Sequence, residues 1–280
     1  MDNPANSQDA VLCNPLPWNV NANTIWLASS LTLLRNLEKF NFPGKLSTDK
    51  RKQLVTLISR DLLEMEALKN PKLIKAGPDC YLQGFFQSWR HFHKYRDKLL
   101  ETFAPSENDY HYLLMKYGSL IDHPNTVAVH VRTQSSIAHQ AFPFLGLEYY
   151  KKGMDIFPED TQFVIFSDRM DWCKIHFKDF IDKKIVFIDG NDHFQDLYLM
   201  SMLKHHIIAN STFSWWGSYL CQNPNKITIA PTPWAHPNFS QYVPKKEDLY
   251  LPSWRLIEYD YTLPYPSDMM LYFSESIDNN

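Results

Sequence analysis

The chain has 280 residues, of which 44% are hydrophobic and 15% are aromatic. This length allows one large domain or two lobes of ordinary size, and the apolar fraction is enough to build a substantial core. The formal net charge is −3, so the chain has no overall positive field that would favour nucleic acid or an anionic membrane surface. An anionic ligand must therefore be bound by a few local groups.

The four cysteines, Cys13, Cys80, Cys173 and Cys221, indicate neither a redox motif nor a zinc site, because no C-x-x-C pair or Cys/His group has the required spacing. Reduced thiols are the simpler interpretation, with disulfides left open. Residues 10–34 lack charge but are interrupted by prolines and asparagines, and the N-terminus is acidic, so neither a membrane span nor a signal peptide is predicted. We expect a soluble cytoplasmic protein, and leave open a peripheral contact with the inner face of a membrane.

The N-terminal half is predicted to be rich in helix. Residues 1–24 contain many Asn and Pro and are expected to be irregular. A capped, one-faced apolar pattern predicts a helix over residues 47–69. A short strand is predicted over 80–86, followed by helices near 88–103 and 107–120.

The C-terminal half alternates between strand and helix patterns. Five mostly apolar runs predict strands, at residues 126–131, 163–166, 185–188, 206–209 and 227–230. Helices are predicted between most of them, near residues 147–157, 169–180, 193–204 and 214–222. This alternation predicts an α/β fold with a parallel sheet covered on both faces, a Rossmann-like lobe. The Pro-rich region 231–252 is expected to leave the sheet and pack across the surface.

Polar residues follow three of the predicted strands, at the ends where ligands sit in such a fold. They are His130 and Arg132, then Ser167 and Asp168, then Asn210, Ser211, Thr212, Phe213 and Ser214. A guanidinium suits a phosphate, a carboxylate suits a guanine edge, and backbone N–H groups at a helix start suit a diphosphate. Structural roles remain open for the same residues: an ion pair for Arg132, a core histidine at 130, and helix N-caps at 168 and 211–212.

The absence of certain glycine and aspartate motifs limits the kind of phosphate-binding site that the chain can form. The eight glycines form no G-x-G or G-K-[ST] motif, which counts against a dinucleotide dehydrogenase or a P-loop enzyme. No D-x-D occurs, although two carboxylates at that spacing commonly hold a divalent metal. Arginine, hydroxyls and a helix N-terminus would therefore hold a diphosphate, and no metal site is predicted. Trp215, Trp216 and Cys173 are predicted to be buried in the core.

Several segments share one further pattern. They are Phe166-Ser167-Asp168 with Asp171-Trp172-Cys173, Asp196–Ser201 with Ile207–Gly217, Asn223–Lys226 with Trp234, and the shorter Tyr81–Ser88 and Glu148–Tyr150. Together, over roughly residues 80–235, they resemble the bacterial-type α-1,2-fucosyltransferases, glycosyltransferase family 11. The Asn-Ser-Thr block at 210–212 is the most specific part of this likeness.

The resemblance implies a GT-B-like enzyme of two Rossmann-like lobes that moves fucose from GDP-β-L-fucose to a galactoside hydroxyl with inversion, without a metal. Residues 1–122 would form a shortened, helix-rich acceptor lobe, and residues 123–280 the GDP-sugar lobe. Arg132 would contact the diphosphate, with His130 lining the donor site as the second catalytic residue. Asp168 and Ser167 would help to hold the nucleotide, and the 210–214 segment would hold phosphate.

The chain departs from the family pattern in three places, the first being Arg169, which stands where the family's F-S-D-D block has its second aspartate. Where the family usually has H-[IV]-R-R-G-D-Y, this chain has His130-Val131-Arg132-Thr133-Gln134-Ser135-Ser136, and the family's G-G-L-G-N-Q turn is absent. The general base is not identified, and the candidates are His139, Glu148 and Asp196. A catalytically silent relative that binds a nucleotide or glycan, and a transferase with another donor, are the alternative functions.

Overall fold

The computed structural model describes residues 88–133, 141–180 and 182–263, together with three short strands nearer the N-terminus. The chain forms two compact units, residues 1–107 with 241–251, and residues 108–240 with 252–280. The predicted helix over 47–69 and the candidate base His139 lie outside the described residues.

The first unit contains a small mixed sheet. Its strands are β1 (Asp9–Leu12), β2 (Leu27–Ala28) and β3 (Tyr81–Gly84), in the order β1-β3-β2. β1 pairs antiparallel with β3, and β2 pairs parallel with it. β3 confirms the predicted short strand. The expectation that residues 1–24 are irregular is wrong at β1, because three consecutive apolar residues inside the Asn-rich stretch pair with β3.

The predicted helix near 88–103 is divided in the structure. Two 3₁₀ turns, Trp89–His91 and His93–Tyr95, precede α1 (Arg96–Thr102). Aromatic residues and histidines fill the first part of this stretch, and they lower its helix propensity. A short helix at Lys246–Leu249 belongs to the same unit, where Arg90 Nε lies 3.0 Å from a carboxylate oxygen of Asp248.

The second unit is built on a six-stranded parallel sheet. α2 (Glu107–Asp122) leads into β4 (Thr126–Val131). The other strands are β5 (Gln162–Ser167), β6 (Lys184–Phe187), β7 (His205–Ile207), β8 (Thr228–Thr232) and β9 (Arg255–Glu258). Their order is β6-β5-β4-β7-β8-β9, and every neighbouring pair is parallel. The five predicted strands and the predicted α/β class are confirmed.

The strand β9 was missed by the sequence prediction. The Pro-rich region was expected to leave the sheet, and the chain does leave it after β8 but returns three residues beyond Pro252 to pair with β8. β9 is a four-residue edge strand with charged ends, Arg255 and Glu258, which are exposed while the two residues between them are half-buried. Such a short pattern has too little alternation to indicate a strand.

Helices cover both faces of this sheet, as predicted. They are α3 (Gly146–Met154), α4 (Met170–His176), α5 (His193–Met202) and α6 (Thr212–Leu220). α3 and α4 pack their aromatic side chains against alternate residues of β4 and β5 in one buried cluster. On the opposite face, the ring of His130 contacts Phe213 of α6, and Nε2 of His206 lies 2.9 Å from the Met200 carbonyl of α5.

Several buried positions agree with the sequence prediction. Trp215 and Trp216 are 4% and 5% exposed, and Cys173 is fully buried. Burial raises the pKa of the Cys173 thiol to about 12, so it is a core residue and not a nucleophile. None of the helices in the described ranges is both long and apolar enough to cross a membrane.

The strand order creates a switch point beside β4. The chain runs outward from β4 to β5 and β6, and α5 then carries it back to β7 on the other side of β4. The helix after β4, α3, and the helix after β7, α6, lie on opposite faces of the sheet. In open α/β sheets, ligands bind at the carboxyl ends of the strands at such a switch point.

A close approach of α5 and α6 gives a stability prediction. A Cβ at Gly217 would lie 2.9 Å from Sδ and 3.0 Å from Cβ of Met200, whereas a Cβ at Gly118 of α2 would meet nothing within 4 Å. We expect Gly217→Ala to lower the free energy of unfolding by about 1–3 kcal/mol, because it overpacks this contact. The matched control Gly118→Ala is expected to raise it by about 0.5–1 kcal/mol. Thermal or urea denaturation measures both, and equal effects would contradict the close approach.

Candidate functional site

Three strand ends come together at the switch point. Val131 pairs with Ser167, and Val129 pairs with Ile207 in neighbouring strands. Continuing these pairings places Arg132 level with Asp168 on one side and with the start of the 210–214 segment on the other. Adjacent strands are about 4.8 Å apart, so the predicted site residues lie in one region of the molecule.

Arg132 and Asp168 form an ion pair at the end of β4 and β5. The distance from Nη1 of Arg132 to Oδ2 of Asp168 is 3.3 Å, and the two side chains are 35% and 11% exposed. Oδ1 of the same carboxylate accepts hydrogen bonds from the backbone N–H and the hydroxyl of Thr133, at 2.9 and 3.0 Å. The ion-pair alternative for Arg132 is therefore correct, and it leaves about a third of the side chain open to a ligand.

The end of β5 is shaped by a neighbouring turn. The Ser167 hydroxyl accepts a hydrogen bond from the Arg169 N–H at 3.0 Å, and Arg169 is the N-cap residue of α4. Asp168 precedes that cap, so the N-cap alternative for Asp168 is wrong. Arg169 forms a two-pronged pair with the carboxylate of Asp171, at 2.8 and 3.1 Å.

The segment 210–214 forms the start of α6. Ser211 is its N-cap, and the Ser211 hydroxyl accepts a hydrogen bond from the Phe213 N–H at 3.3 Å. The N-cap alternative for Ser211 is confirmed, and it is compatible with anion binding, since the first turn still presents backbone N–H groups and the positive end of the helix dipole. Ser211, Thr212 and Phe213 are all partly exposed.

The side chains of two residues of this segment, Asn210 and Ser214, form hydrogen bonds within the protein. The Ser214 hydroxyl accepts a hydrogen bond from Ala209 N–H and donates one to the Ser211 carbonyl, both at 3.3 Å. The Asn210 side-chain amide donates to the Pro143 carbonyl at 2.9 Å. These bonds hold the turn in one shape, while a phosphate contact by Asn210 or Ser214 stays a prediction.

His130 lies beneath this region and is only 4% exposed. Its ring centroid is 5.5 Å from that of Phe213, and its Nδ1 has no hydrogen-bond partner among the described residues. The pKa of His130 is lowered from 6.5 to about 4, mainly by burial; the charge of Asp168 opposes this effect, and the charge of Arg132 adds to it. The imidazole is therefore neutral at pH 7 and faces the start of α6.

Asp196 occupies the first turn of α5, whose N-cap is Asp192. One carboxylate oxygen of Asp196 accepts a hydrogen bond from the Asn191 side-chain amide at 3.0 Å. The Asn191 carbonyl oxygen in turn accepts from Tyr112, Lys116 and Tyr117 of α2. Burial raises the pKa of Asp196 to about 6. Asp196 thus lies in the first turn of a helix, as expected. Its carboxyl group also has a pKa well above the ordinary value.

The candidate base Glu148 has a different environment. It lies in the first turn of α3, where its side chain is 67% exposed and 3.7 Å from Lys152. Within the described ranges, no group of three or more His, Cys, Asp or Glu side chains has an arrangement that could hold a metal ion.

Thr133 is a functional candidate that the sequence analysis missed. Its position next to Arg132, at the end of a strand that neighbours β5, could have indicated it.

Comparison with known proteins identifies the family. Residues 53–258, well over half of the chain, match Glycosyl transferase family 11. Alpha-1,2-colitosyltransferase of Escherichia coli is 36% identical over 160 residues, which cover 54% of each chain. Galactoside alpha-(1,2)-fucosyltransferase 1 of Homo sapiens is 28% identical over 193 residues, covering 63% of this chain and 52% of that protein.

The chain thus spans about half the length of these relatives. Among solved structures, the crystal structure of POFUT1 in complex with GDP gives a TM-score of 0.34 at 14% identity and covers 49% of each chain. The family match over residues 53–258 includes β4 to β9 and every candidate site residue that the structure describes. The chain belongs to glycosyl transferase family 11.

Proposed function

We propose that this protein is an inverting glycosyltransferase that moves L-fucose from GDP-β-L-fucose to a galactoside hydroxyl and forms an α-1,2 linkage. Its role would lie in the synthesis of a glycan or surface polysaccharide. The observation that carries the proposal is the position of Arg132, at the carboxyl end of β4 and beside the start of α6 at the switch point. Membership of family 11 supports the reaction class.

The charges of this region suit the leaving group. As the bond from the anomeric carbon to the diphosphate oxygen breaks, negative charge grows on the GDP. Arg132 and the N-terminal N–H groups of α6 would stabilise this charge from two sides, because both are fixed donors that need little rearrangement. We propose that these groups replace a metal ion. His130, neutral and beside Phe213, would line the donor site, and Asp168 would keep Arg132 in place.

The acceptor hydroxyl would attack the anomeric carbon from the face opposite the GDP, and a base would take its proton. His139, Glu148 and Asp196 remain the candidates. A pKa of about 6 suits a base at neutral pH, which favours Asp196 among these candidates. We further propose the GT-B-like arrangement, with residues 1–122 serving the acceptor and residues 123–280 the donor.

One alternative function is a transferase that uses a different sugar donor. The 36% identity with a protein named as a colitosyltransferase supports a transferase of the same family that uses colitose instead of fucose. The altered stretch Thr133–Ser136 supports the other alternative, a catalytically silent relative that binds nucleotide or glycan.

The test is an assay of GDP release with GDP-fucose and a nucleotide-linked colitose donor, each with a panel of galactosides. Faster GDP release with GDP-fucose and a galactoside than with water alone is the expected result. Release only with the colitose donor would establish the alternative donor. GDP binding by calorimetry without any turnover would indicate the silent relative, and no GDP binding would overturn the proposed fucosyltransferase function.

A further inference from the structure

Thr133 donates hydrogen bonds to the carboxylate of Asp168, which forms the ion pair with Arg132. Thr133 is 1% exposed, and both its backbone N–H and its hydroxyl donate to Oδ1 of Asp168, at 2.9 and 3.0 Å. The other oxygen of Asp168 lies 3.3 Å from Nη1 of Arg132. The three residues therefore form a chain of contacts from the end of β4 to the end of β5 and back.

This arrangement fixes the direction of the Asp168 side chain. Two donors from one residue define the carboxylate plane more tightly than a single bond does, and hydrogen bonds to an ionised acceptor are about twice as strong as neutral ones. The hydroxyl donor is the part that a side chain supplies, since any residue except proline would provide the backbone N–H. The identity of residue 133 thus decides whether its side chain adds a second donor to the one from its own backbone.

A fixed Asp168 restricts the guanidinium of Arg132. A free arginine side chain carries about 2 kcal/mol of rotamer entropy, which a phosphate ligand would otherwise have to overcome on binding. A guanidinium held in place before the ligand arrives loses less freedom when it binds. The pair is still 35% exposed on the arginine side, so a diphosphate has access to it.

We propose that Thr133 is a positioning residue for donor binding, which aligns Arg132 through Asp168. The inference rests on the proposed function, since it assumes that Arg132 binds the donor diphosphate. In this chain the residue after Arg132 brings no second positive charge. It brings a hydroxyl that positions the guanidinium of Arg132 through Asp168.

The test compares Thr133→Val with Thr133→Ser. Valine keeps the branched shape and the backbone N–H but removes the hydroxyl, whereas serine keeps the hydroxyl. We expect Thr133→Val to raise the Kd for GDP by calorimetry, and the KM for GDP-fucose, about tenfold, with kcat changed less than threefold. This is the lower end of the range for one hydrogen bond to a charged group. Thr133→Ser is expected to stay within threefold of the unaltered protein.

Thr228→Val is the matched control. Thr228 is also 1% exposed, and its hydroxyl lies 2.8 Å from that of Ser218, but it lies at the amino end of β8, whereas Thr133 follows the carboxyl end of β4. It should lower the melting temperature and leave GDP affinity unchanged. Equal GDP affinity of Thr133→Val and the unaltered protein would overturn the proposal, and so would an equal loss in Thr228→Val.

A double-mutant cycle tests whether the Thr133 hydroxyl acts through Asp168. GDP affinity is measured for the unaltered protein, Thr133→Val, Asp168→Ala and the double variant, each below its melting temperature, and Thr133→Ala replaces Thr133→Val if the valine variant is poorly stable. We expect the double variant to match Asp168→Ala, because the hydroxyl acts only through the carboxylate. Additive losses would contradict the proposal. Failure of the unaltered protein to bind GDP would instead overturn the proposed function.

Discussion

Arg132→Ala is expected to lower GDP affinity about 100-fold or more. The alanine removes a charged two-donor group from the switch point, and about 3 kcal/mol, a factor of roughly 100, is the order expected for charge-assisted bonds to a diphosphate. Calorimetry with GDP measures the affinity directly. Turnover with GDP-fucose should fall at least as far, because the same charge stabilises the leaving group.

Two further variants sharpen this result. Arg132→Lys keeps the charge but loses the planar fork, so it should recover only part of the affinity. Arg255→Ala removes an exposed arginine at the amino end of β9 and should leave GDP binding unchanged. If Arg132→Ala bound GDP as tightly as the unaltered protein, the diphosphate would have to bind elsewhere.

Asp196→Asn is expected to stabilise the folded protein at pH 7. Burial raises the pKa of Asp196 to about 6, about two units above the value of about 3.9 in an unfolded chain. Above pH 6 the folded protein must keep this partly buried group charged, which costs up to about 3 kcal/mol of stability. Asparagine removes the charge and can still accept the hydrogen bond from Asn191.

The sign of the effect depends on pH. The folded state binds the proton more tightly than the unfolded state, so the free energy of unfolding contributed by Asp196 falls as pH rises from about 4 to 6. We expect urea denaturation to show the same free energy of unfolding for Asp196→Asn and the unaltered protein at pH 4. At pH 7, Asp196→Asn should have the higher free energy of unfolding. The charged groups that act on Asp196 are Lys116 from α2, Asp192 from its own helix and Asp189 after β6.

Glu148→Gln is the control for this experiment, because that carboxylate is exposed and should change stability by less than about 0.5 kcal/mol. A gain in Asp196→Asn that is the same at both pH values would contradict a raised pKa. Loss of turnover in the stabilised variant would show that the protein keeps a costly carboxylate for function, a trade common at active sites.

The central strands of the sheet were predictable because they are buried on both faces. All six residues of β4 are buried, and such strands appear in a sequence as continuous apolar, β-branched runs. The edge strand β9 and the short β1 lack such a run. Whether they pair depends on partners that are distant in the sequence, namely β8 and β3. Tertiary contacts decide these elements, and no local pattern contains that information.

The site was predictable in its location but less so in its bonding. The parallel sheet brings the ends of β4, β5 and β7 together whatever their side chains are, which is why the residue sets could be placed in advance. The partners of each side chain depend on rotamers and on small differences in register. The sequence could not indicate that Ser214 bonds within its own turn, or that Thr133 rather than the start of a helix supplies donors to Asp168.

The strand order also has a consequence for how the protein folds. β4 and β7 are neighbours in the sheet, although the whole of β5, β6 and three helices separate them along the chain. Long-range pairings of this kind form slowly, because the intervening chain must be ordered first. A nascent chain that ends after β6 would contain Arg132 and Asp168 but no start of α6 beside them. Affinity for nucleotide should therefore arise only after β7 docks, and GDP can serve as a kinetic probe of that step.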